Sequence, residues 1–181
     1  MNLKKLNVVL FTLFMVIGSA FAAKGEWTKI KHAEIFFKTP DGWNGYKEML
    51  GIPFILVSPM KQISRITISV SPIKEKNSIL TFDENGADPN TPFKKNKETY
   101  LKSIHAKMQE FYPHKIIDWD NVKKVQTIGF KYFHGGNHFI ERTYILACNK
   151  QIFHMKSKYR YEEFPDGDAI VEEIVKTFNC R

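Results

Sequence analysis

The chain has 181 residues, a formal net charge of +8 and only two cysteines. This length suits one domain with a sizeable core and excludes an assembly of several large domains. Two cysteines are too few to hold a metal ion by themselves, and net charge bears on association rather than on fold.

The amino-terminal residues predict a secretory signal. Two lysines precede an apolar run from Val8 to Ile17, and small residues follow it. This three-part pattern, with an A-x-A-like site, predicts cleavage after Ala22 or Ala23. The alternative is an uncleaved membrane anchor, but a membrane span needs roughly 20 apolar residues and this run is about half as long. No cysteine follows the small residues, so a lipoprotein anchor would have no attachment point.

Cleavage would remove residues 1–22 and leave residues 23–181 as a single domain, with no transmembrane segment in the mature chain. Two lysines leave with the signal, so the formal charge falls from +8 to +6. We expect a periplasmic or secreted bacterial protein, separated from genomic nucleic acid. Its positive charge would attract anionic lipid headgroups, acidic glycans or acidic proteins, or would serve only to keep the protein in solution.

Six short runs rich in β-branched and aromatic residues predict strands. The runs are EIFFK, FILVS, RITISVSPI, QTIGFKYF, HFIERTYIL and QIFHMKSKYRY. Apolar residues alternate within them, as at Ile128, Phe130 and Tyr132, so each strand has one buried face, which favours an antiparallel sheet. Gly135 and Gly136 separate two of the runs and predict a β-hairpin, because glycine readily takes positive φ.

Two segments have helical periodicity. In the first, Asn96 is the expected cap, Pro113 the expected stop, and the apolar stripe is Tyr100, Leu101, Ile104, Met108 and Phe111. In the second, Asp168 is the expected cap and the buried face is Ile170, Val171, Ile174, Val175 and Phe178. The polar segment from Lys74 to Pro92 is rich in turn residues and is expected to be a long exposed loop.

Cys148 and Cys180 are predicted to form a disulfide, because nothing outside the cytoplasm keeps two thiols reduced. The loop-closure model gives roughly 3.5 to 4 kcal/mol of stabilisation for a ring of this size. The bridge would clamp the terminal helix to the sheet. The two cysteines are too far apart in sequence for a C-x-x-C redox motif.

The order of these elements resembles the PsbP-like proteins, a superfamily that also includes the Ran-binding import factor Mog. The resemblance lies in "IFFKTPDGW" near the expected mature start and in the closing stretches "ERTYILACNKQIFHMKSKY" and "IVEEIVKTF". It implies an α+β fold, with a central antiparallel sheet of about six strands and helices packed on both faces. Members of the superfamily mostly act as accessory or binding proteins, so the resemblance implies no activity and assigns no functional residue.

Histidines and carboxylates give little support to catalysis or metal binding. His134 and His138 flank the predicted hairpin turn, but a zinc site needs three or four protein ligands. Asp83, Asn85 and Asp88 are close in sequence, yet they lack the glycine and the distant glutamate of a calcium loop. The sequence has no nucleophile elbow or phosphate loop. We therefore expect no catalytic residue, no metal and no cofactor.

Lys94, Lys95, Lys97 and Lys102 form the densest basic patch in the sequence. Lysines gain nothing from a helix amino terminus, and residues that break a local rule are often functional. These four are our candidates for anion binding, against the alternative of a solvated helix face. The sequence predicts an exported, non-catalytic accessory or binding protein, whose partner is an unknown envelope protein or an anionic envelope component. The alternative is a small envelope-acting enzyme or hydrolase inhibitor.

Overall fold

A computed structural model of the chain describes residues 20–22, 27–30, 33–73, 88–148 and 151–181. Most of the expected signal peptide lies outside these ranges, as do Asp83 and Asn85. The described residues form one large sheet, one small sheet and two helices.

The strands and helices follow one another in mixed order along the chain. The strands are β1 (Ala20–Ala22), β2 (Thr28–Ile30), β3 (Ala33–Phe36), β4 (Asn44–Met49), β5 (Ile52–Val57), β6 (Thr67–Ile73), β7 (Lys107–Ile117), β8 (Val125–His134), β9 (Asn137–Cys148), β10 (Gln151–Arg160) and β11 (Asn179–Cys180). The helices are α1 (Asn90–Ser103) and α2 (Gly167–Lys176). The large sheet has the order β1-β4-β5-β6-β10-β9-β8-β7, and the small sheet has the order β11-β3-β2.

The six predicted strands are present as β3, β5, β6, β8, β9 and β10. The hairpin between β8 and β9 is confirmed, with φ of 55° at Gly135 and 81° at Gly136. The sequence patterns missed β1, β2, β4, β7 and β11. β4 reads NGYKEM, which has neither apolar alternation nor β-branched residues, so its strand conformation depends on pairing with β5.

The main core lies on one face of the large sheet. On β10, Phe153, Met155 and Tyr159 are at most 2% exposed, and they belong to the same apolar cluster as Val171 and Ile174 of α2. Successive side chains of a strand point to opposite faces, so burial of this set directs the intervening β10 side chains to the other face of the sheet.

The first helix begins and ends earlier than the sequence predicts. The Asp88 carboxylate accepts hydrogen bonds from the backbone N–H groups of Asn90 (3.0 Å) and Thr91 (3.2 Å), which satisfies donors of the first turn. The expected cap at Asn96 is therefore wrong, since that residue lies inside α1. Pro92 also belongs to the helix, so the expected loop cannot extend to this residue, and residues 74–87 of that segment lie outside the described ranges.

The chain reverses after α1 and continues as strand β7. His105 has a φ of 55° at this reversal. Met108 and Phe111 therefore lie on a strand and not on the predicted helix, and Pro113 lies within the strand rather than at a helix end. The pairing of β7 with β8 shifts register between Met108 and Glu110 and again between Tyr112 and Lys115.

The second helix is confirmed, but its cap is corrected. The N-cap position is Asp166, and Asp168 lies in the first turn, where its Oδ2 is 2.6 Å from Nη2 of Arg142. Of the predicted buried face, Val171, Ile174 and Val175 are at most 1% exposed, while Phe178 is fully buried just beyond the helix and Ile170 is only partly buried.

The predicted disulfide is present. Cys148 at the end of β9 is bonded to Cys180 in β11, with a Cα–Cα distance of 6.0 Å. Because β11 pairs with β3, the bond joins the large sheet to the small one. Backbone hydrogen bonds between Glu34 and Arg181 extend this pairing by one residue beyond the cysteine.

The expected fold class is confirmed at the level of an antiparallel sheet with accompanying helices, although the large sheet has eight strands rather than six. Strand β1 pairs with β4 and lies at the end of the expected signal peptide, and processing after Ala22 or Ala23 stays a prediction. Among the described helices, neither is both long and apolar enough to cross a membrane.

Loss of the disulfide should destabilise the domain without preventing folding. We expect Cys180→Ser to lower the free energy of unfolding by about 2 to 4 kcal/mol, because the unfolded chain loses its cross-link. Urea denaturation of the oxidised protein measures this. A C148S/C180S variant should match the reduced parent, and equal stability of oxidised and reduced parent would contradict the prediction.

Gly167 is expected to be intolerant of a side chain. An added Cβ would overlap the ring of Tyr159, with the ring Cδ2 atom 2.6 Å away, and that ring is buried. Overpacking costs about 1 to 3 kcal/mol, which exceeds the helix-propensity gain of roughly 1 kcal/mol from Gly to Ala. Gly167→Ala should therefore lower stability in urea, and a gain would refute the overlap. As a control, Ala169→Gly at an exposed position should cost only the propensity difference.

Candidate ligand-binding face

Helix α1 packs against part of the large sheet. Leu101 of α1 is 1% exposed and packs with Phe130 and Tyr132 of β8. Phe93 lies about two turns before Leu101 on the same helix and packs against the same cluster. Its ring centroid is 6.4 Å from that of Phe111 on β7. Beyond these contacts the sheet continues across β10, β6 and β5.

The strand register defines the side chains of this area, in which Thr143, Ile55 and Ile145 are at most 9% exposed whereas Lys156 and Lys158 are exposed. One cross-strand row contains Glu141, Lys158, Thr67 and Val57. The next contains Thr143, Lys156, Ser69, Ile55 and Tyr46, and a third contains Ile145, His154 and Ser71. We call this area, with Lys97 of α1 at its border, the lysine face.

The side chain of Lys97 lies between α1 and the sheet. Its Nζ is 3.8 Å from Oε2 of Glu141 and 5.2 Å from the centroid of the Phe130 ring. Burial lowers the pKa of Lys97, attraction to Glu141 opposes this, and repulsion from Lys156 and Lys158 adds to it. The ammonium group is thus less well solvated than an ordinary surface lysine and lies in the field of two further cations.

Lys158 meets the same carboxylate from the sheet side. Its Nζ is 3.6 Å from Oε1 of Glu141 and lies over the rings of Tyr132 (5.5 Å) and Phe139 (5.4 Å). Glu141 is 20% exposed and also accepts a hydrogen bond from the Tyr132 hydroxyl. One carboxylate therefore faces Lys97 and Lys158, and Lys156 adds a third positive charge, so the group has a net positive charge.

His154 lies beside these lysines and adds no charge at neutral pH. Burial, followed by repulsion from Lys156, lowers the pKa of its imidazole to about 4. Its Nε2 is buried without a hydrogen-bond partner among the described residues. The hydroxyls of Thr67 and Ser69 donate to carbonyl oxygens of β10, so the lysines are the groups that can engage an anion.

The structure divides the four lysines that the sequence grouped together. Lys97 belongs to the lysine face, and Nζ of Lys94 is 5.8 Å from the centroid of the Phe111 ring. Lys95 and Lys102 are exposed, and their spacing of seven residues places them on a common side of α1, away from the sheet. The four do not form one patch. Whether any of them binds an anion stays a prediction.

Lys156 and Lys158 were missed as candidates by the sequence analysis. The available signal was the buried alternation of β10, which directs these two lysines to the opposite face. The sequence analysis did not predict that these two lysines lie near Lys97, because it placed the ends of α1 incorrectly.

A second polar cluster surrounds Arg142 and Asp168. Nε of Arg142 is 3.2 Å from each carboxylate oxygen of Asp168, and the guanidinium carbon is 3.6 Å from the ring centroid of Tyr112. Burial is the main cause that raises the pKa of Tyr112 to about 12. Burial also raises the pKa of Tyr159 and of Tyr144. These phenols are neutral at pH 7. The charges of the ion pair offset each other, and the pair holds the start of α2 against β9.

The two histidines of the β8–β9 hairpin do not converge on a metal site. Nδ1 of His138 is 2.6 Å from Oε1 of Glu162, and His134 is exposed on the hairpin. Within the described ranges, no group of three or more histidine, cysteine or carboxylate side chains could hold a metal ion.

Comparisons with known proteins give matches by structure and not by sequence. No protein family and no curated protein matches the sequence. The solution structure of cyanobacterial PsbP (CyanoP) from Synechocystis sp. PCC 6803 matches with a TM-score of 0.57 and 10% identity, over 93% of this chain and 99% of that chain. The crystal structure of LpqN from Mycobacterium tuberculosis matches with a TM-score of 0.54 and 13% identity, over 86% of this chain and 91% of that chain. The chain therefore has the PsbP-like fold, as the resemblance of its sequence implied.

Proposed function

We propose that this protein is an exported, non-catalytic binding or accessory protein of the bacterial envelope, and that it holds an anionic envelope component on the lysine face. The observation that carries the proposal is the convergence of Lys97 and Lys158 on a single carboxylate, Glu141, with Lys156 near enough to repel Lys97. Three cations and one anion leave positive charge for which the described side chains provide no second carboxylate.

The physical reason for anion binding is the unequal balance of charge in a partly desolvated place. Burial and the neighbouring cations both destabilise the charged form of Lys97. A bound phosphate or carboxylate group would relieve this repulsion, and its attraction to the lysines would be less screened than on an open surface. The aromatic rings beneath Lys158 limit the positions of that side chain and so reduce the entropy lost on binding.

Compartment and fold support the envelope assignment. A disulfide that joins the two sheets is typical of an oxidising compartment, and the amino-terminal residues read as a secretory signal. LpqN, which has a similar fold, is described as involved in cell envelope biogenesis. Fold does not determine function. The likeness in fold therefore supports only the proposal of an envelope protein, and the proposal of anion binding rests on the lysine face.

We also infer that the two helices lie on opposite faces of the large sheet. α2 packs with Phe153 and Met155 of β10, whereas α1 packs with Phe130 of β8. Phe130 pairs with Glu141, and Glu141 pairs with Lys158, so α1 lies on the lysine face. On this side Lys156 and Lys158 of β10 are exposed beyond the described contacts of α1.

Neutralisation of two lysines on the lysine face should weaken anion binding. We expect K156Q/K158Q to bind polyphosphate or poly-L-glutamate roughly tenfold to thirtyfold less tightly, at about 1 kcal/mol for each lysine. Fluorescence titration at low and physiological salt measures this, and affinity of the parent should fall as salt rises. The two polymers distinguish a phosphate ligand from a carboxylate ligand.

The matched control is K95Q/K102Q, which removes the same charge from the far side of α1. It should keep most of the affinity, since these lysines lie away from the sheet. Equal losses in the two double variants would mean that only net charge matters. Unchanged binding by K156Q/K158Q would refute the lysine face as the site.

A further inference from the structure

The loop between β5 and β6, residues 58–66, exposes apolar side chains in a fixed conformation. Met60 is 58% exposed and Ile63 is 78% exposed. The backbones of Lys61 and Ser64 exchange two hydrogen bonds, of 3.0 and 3.1 Å, so the tip of the loop is a closed turn. Gln62 within it has a φ of 51°, which an L-residue adopts at some cost.

A buried carboxylate holds this loop in place. Glu163 is 3% exposed and accepts hydrogen bonds from the backbone N–H groups of Ile63 (3.3 Å) and Ser64 (3.1 Å). Its other oxygen is 3.0 Å from Nη1 of Arg160. Burial of a charged group is costly, and here the buried carboxylate fixes a loop whose two apolar side chains are exposed to solvent. Exposed apolar side chains held in a fixed conformation are typical of a binding surface.

The same end of the molecule carries more exposed aromatic surface. Tyr161 and Phe133 are 38% and 40% exposed, and both adjoin His138: the N–H of Tyr161 donates to its carbonyl, and the ring of Phe133 is 5.2 Å from its ring. Nζ of Lys61 lies over the Phe164 ring, three residues from Tyr161, which connects the loop to these aromatics.

The charges at this end suit an anionic surface. Lys61 is exposed at the loop tip, and Nζ of Lys131 lies 3.9 Å from the centroid of the Tyr161 ring. The neighbouring carboxylates are engaged, since Glu162 pairs with His138 and Glu163 with Arg160. Glu162 is itself exposed, as is Asp166, which lies at the start of α2.

We propose that this end, formed by loop 58–66 with Phe133 and Tyr161, seats the protein on the surface of a bilayer that contains anionic lipid. Met60 and Ile63 enter the headgroup region, Tyr161 lies at the boundary, and Lys61 and Lys131 contact phosphate groups. Apolar side chains next to tyrosine and lysine are the combination that interfacial binding uses. The surface shares no residue with the lysine face, although the loop begins next to Val57 and ends next to Thr67 of that face.

Vesicle binding by the oxidised protein tests the proposal. We expect the parent to sediment with vesicles of equal parts phosphatidylglycerol and phosphatidylcholine and to bind phosphatidylcholine alone far less. The variant M60S/I63S should bind the mixed vesicles about tenfold less tightly or weaker, because two apolar side chains no longer leave water. The control Leu50→Ser changes an 82% exposed residue at the opposite end of β5 and should bind as the parent does.

A spectroscopic variant locates the contact. Ile63→Trp should show a blue shift of its added emission when the mixed vesicles are present, and Leu50→Trp should not. Parent-like vesicle binding by M60S/I63S would overturn the proposal, as would a shift in Leu50→Trp alone. Absence of vesicle binding by the parent would also overturn it and would leave the loop as a contact for another protein. Loss of binding in K156Q/K158Q but not in M60S/I63S would assign lipid headgroups to the lysine face and refute the loop.

Discussion

The two-residue period of strand β10 is the constraint on which the rest of this structure depends. Its odd-numbered residues from Phe153 to Tyr159 are buried and contribute to the core beneath α2. A strand cannot bury one set of side chains without presenting the other set on the opposite face. The packing of the main core therefore also fixes where Lys156, Lys158 and His154 lie. A one-residue slip in register would bury the lysines and expose the aromatics, which makes the register strongly specified.

Glu141 shows how the other face tolerates its lysines. A carboxylate shared by Lys97 and Lys158 offsets part of their repulsion, and the Tyr132 hydroxyl supplies a further hydrogen bond. The charge of Glu141 does not cancel the charges of the neighbouring lysines. By contrast, Arg142 and Asp168 form a bidentate pair, in which Nε donates to Oδ1 and Nη2 to Oδ2. Glu141 and Arg142 are consecutive residues of β9, so their clusters lie on opposite faces of the strand, and the two clusters differ in charge balance.

Sequence reasoning succeeded where local pattern and packing agree. The six predicted strands, the helix α2 and the β8–β9 hairpin have periodicity or turn residues that match their environment. The disulfide followed from compartment and count. The region after Asn96 failed because apolar residues at helical spacing were assigned to one element, although Met108 and Phe111 reach the same cluster from a strand. Spacing alone cannot reveal the chain reversal at His105, and the lysine face depends on that reversal.

Strand β7 has a consequence for how this protein can associate with others. It lies at the edge of the large sheet, and the outer side of such a strand can template another strand. Here Pro113 lacks an N–H group, and two register shifts interrupt the regular spacing of donors and acceptors. Extension of the sheet along this edge, whether by a second copy or by an extended peptide, would lose its hydrogen bonds after a few residues. Continuous strand addition along β7 is therefore disfavoured, and a partner at this edge would be limited to a short contact.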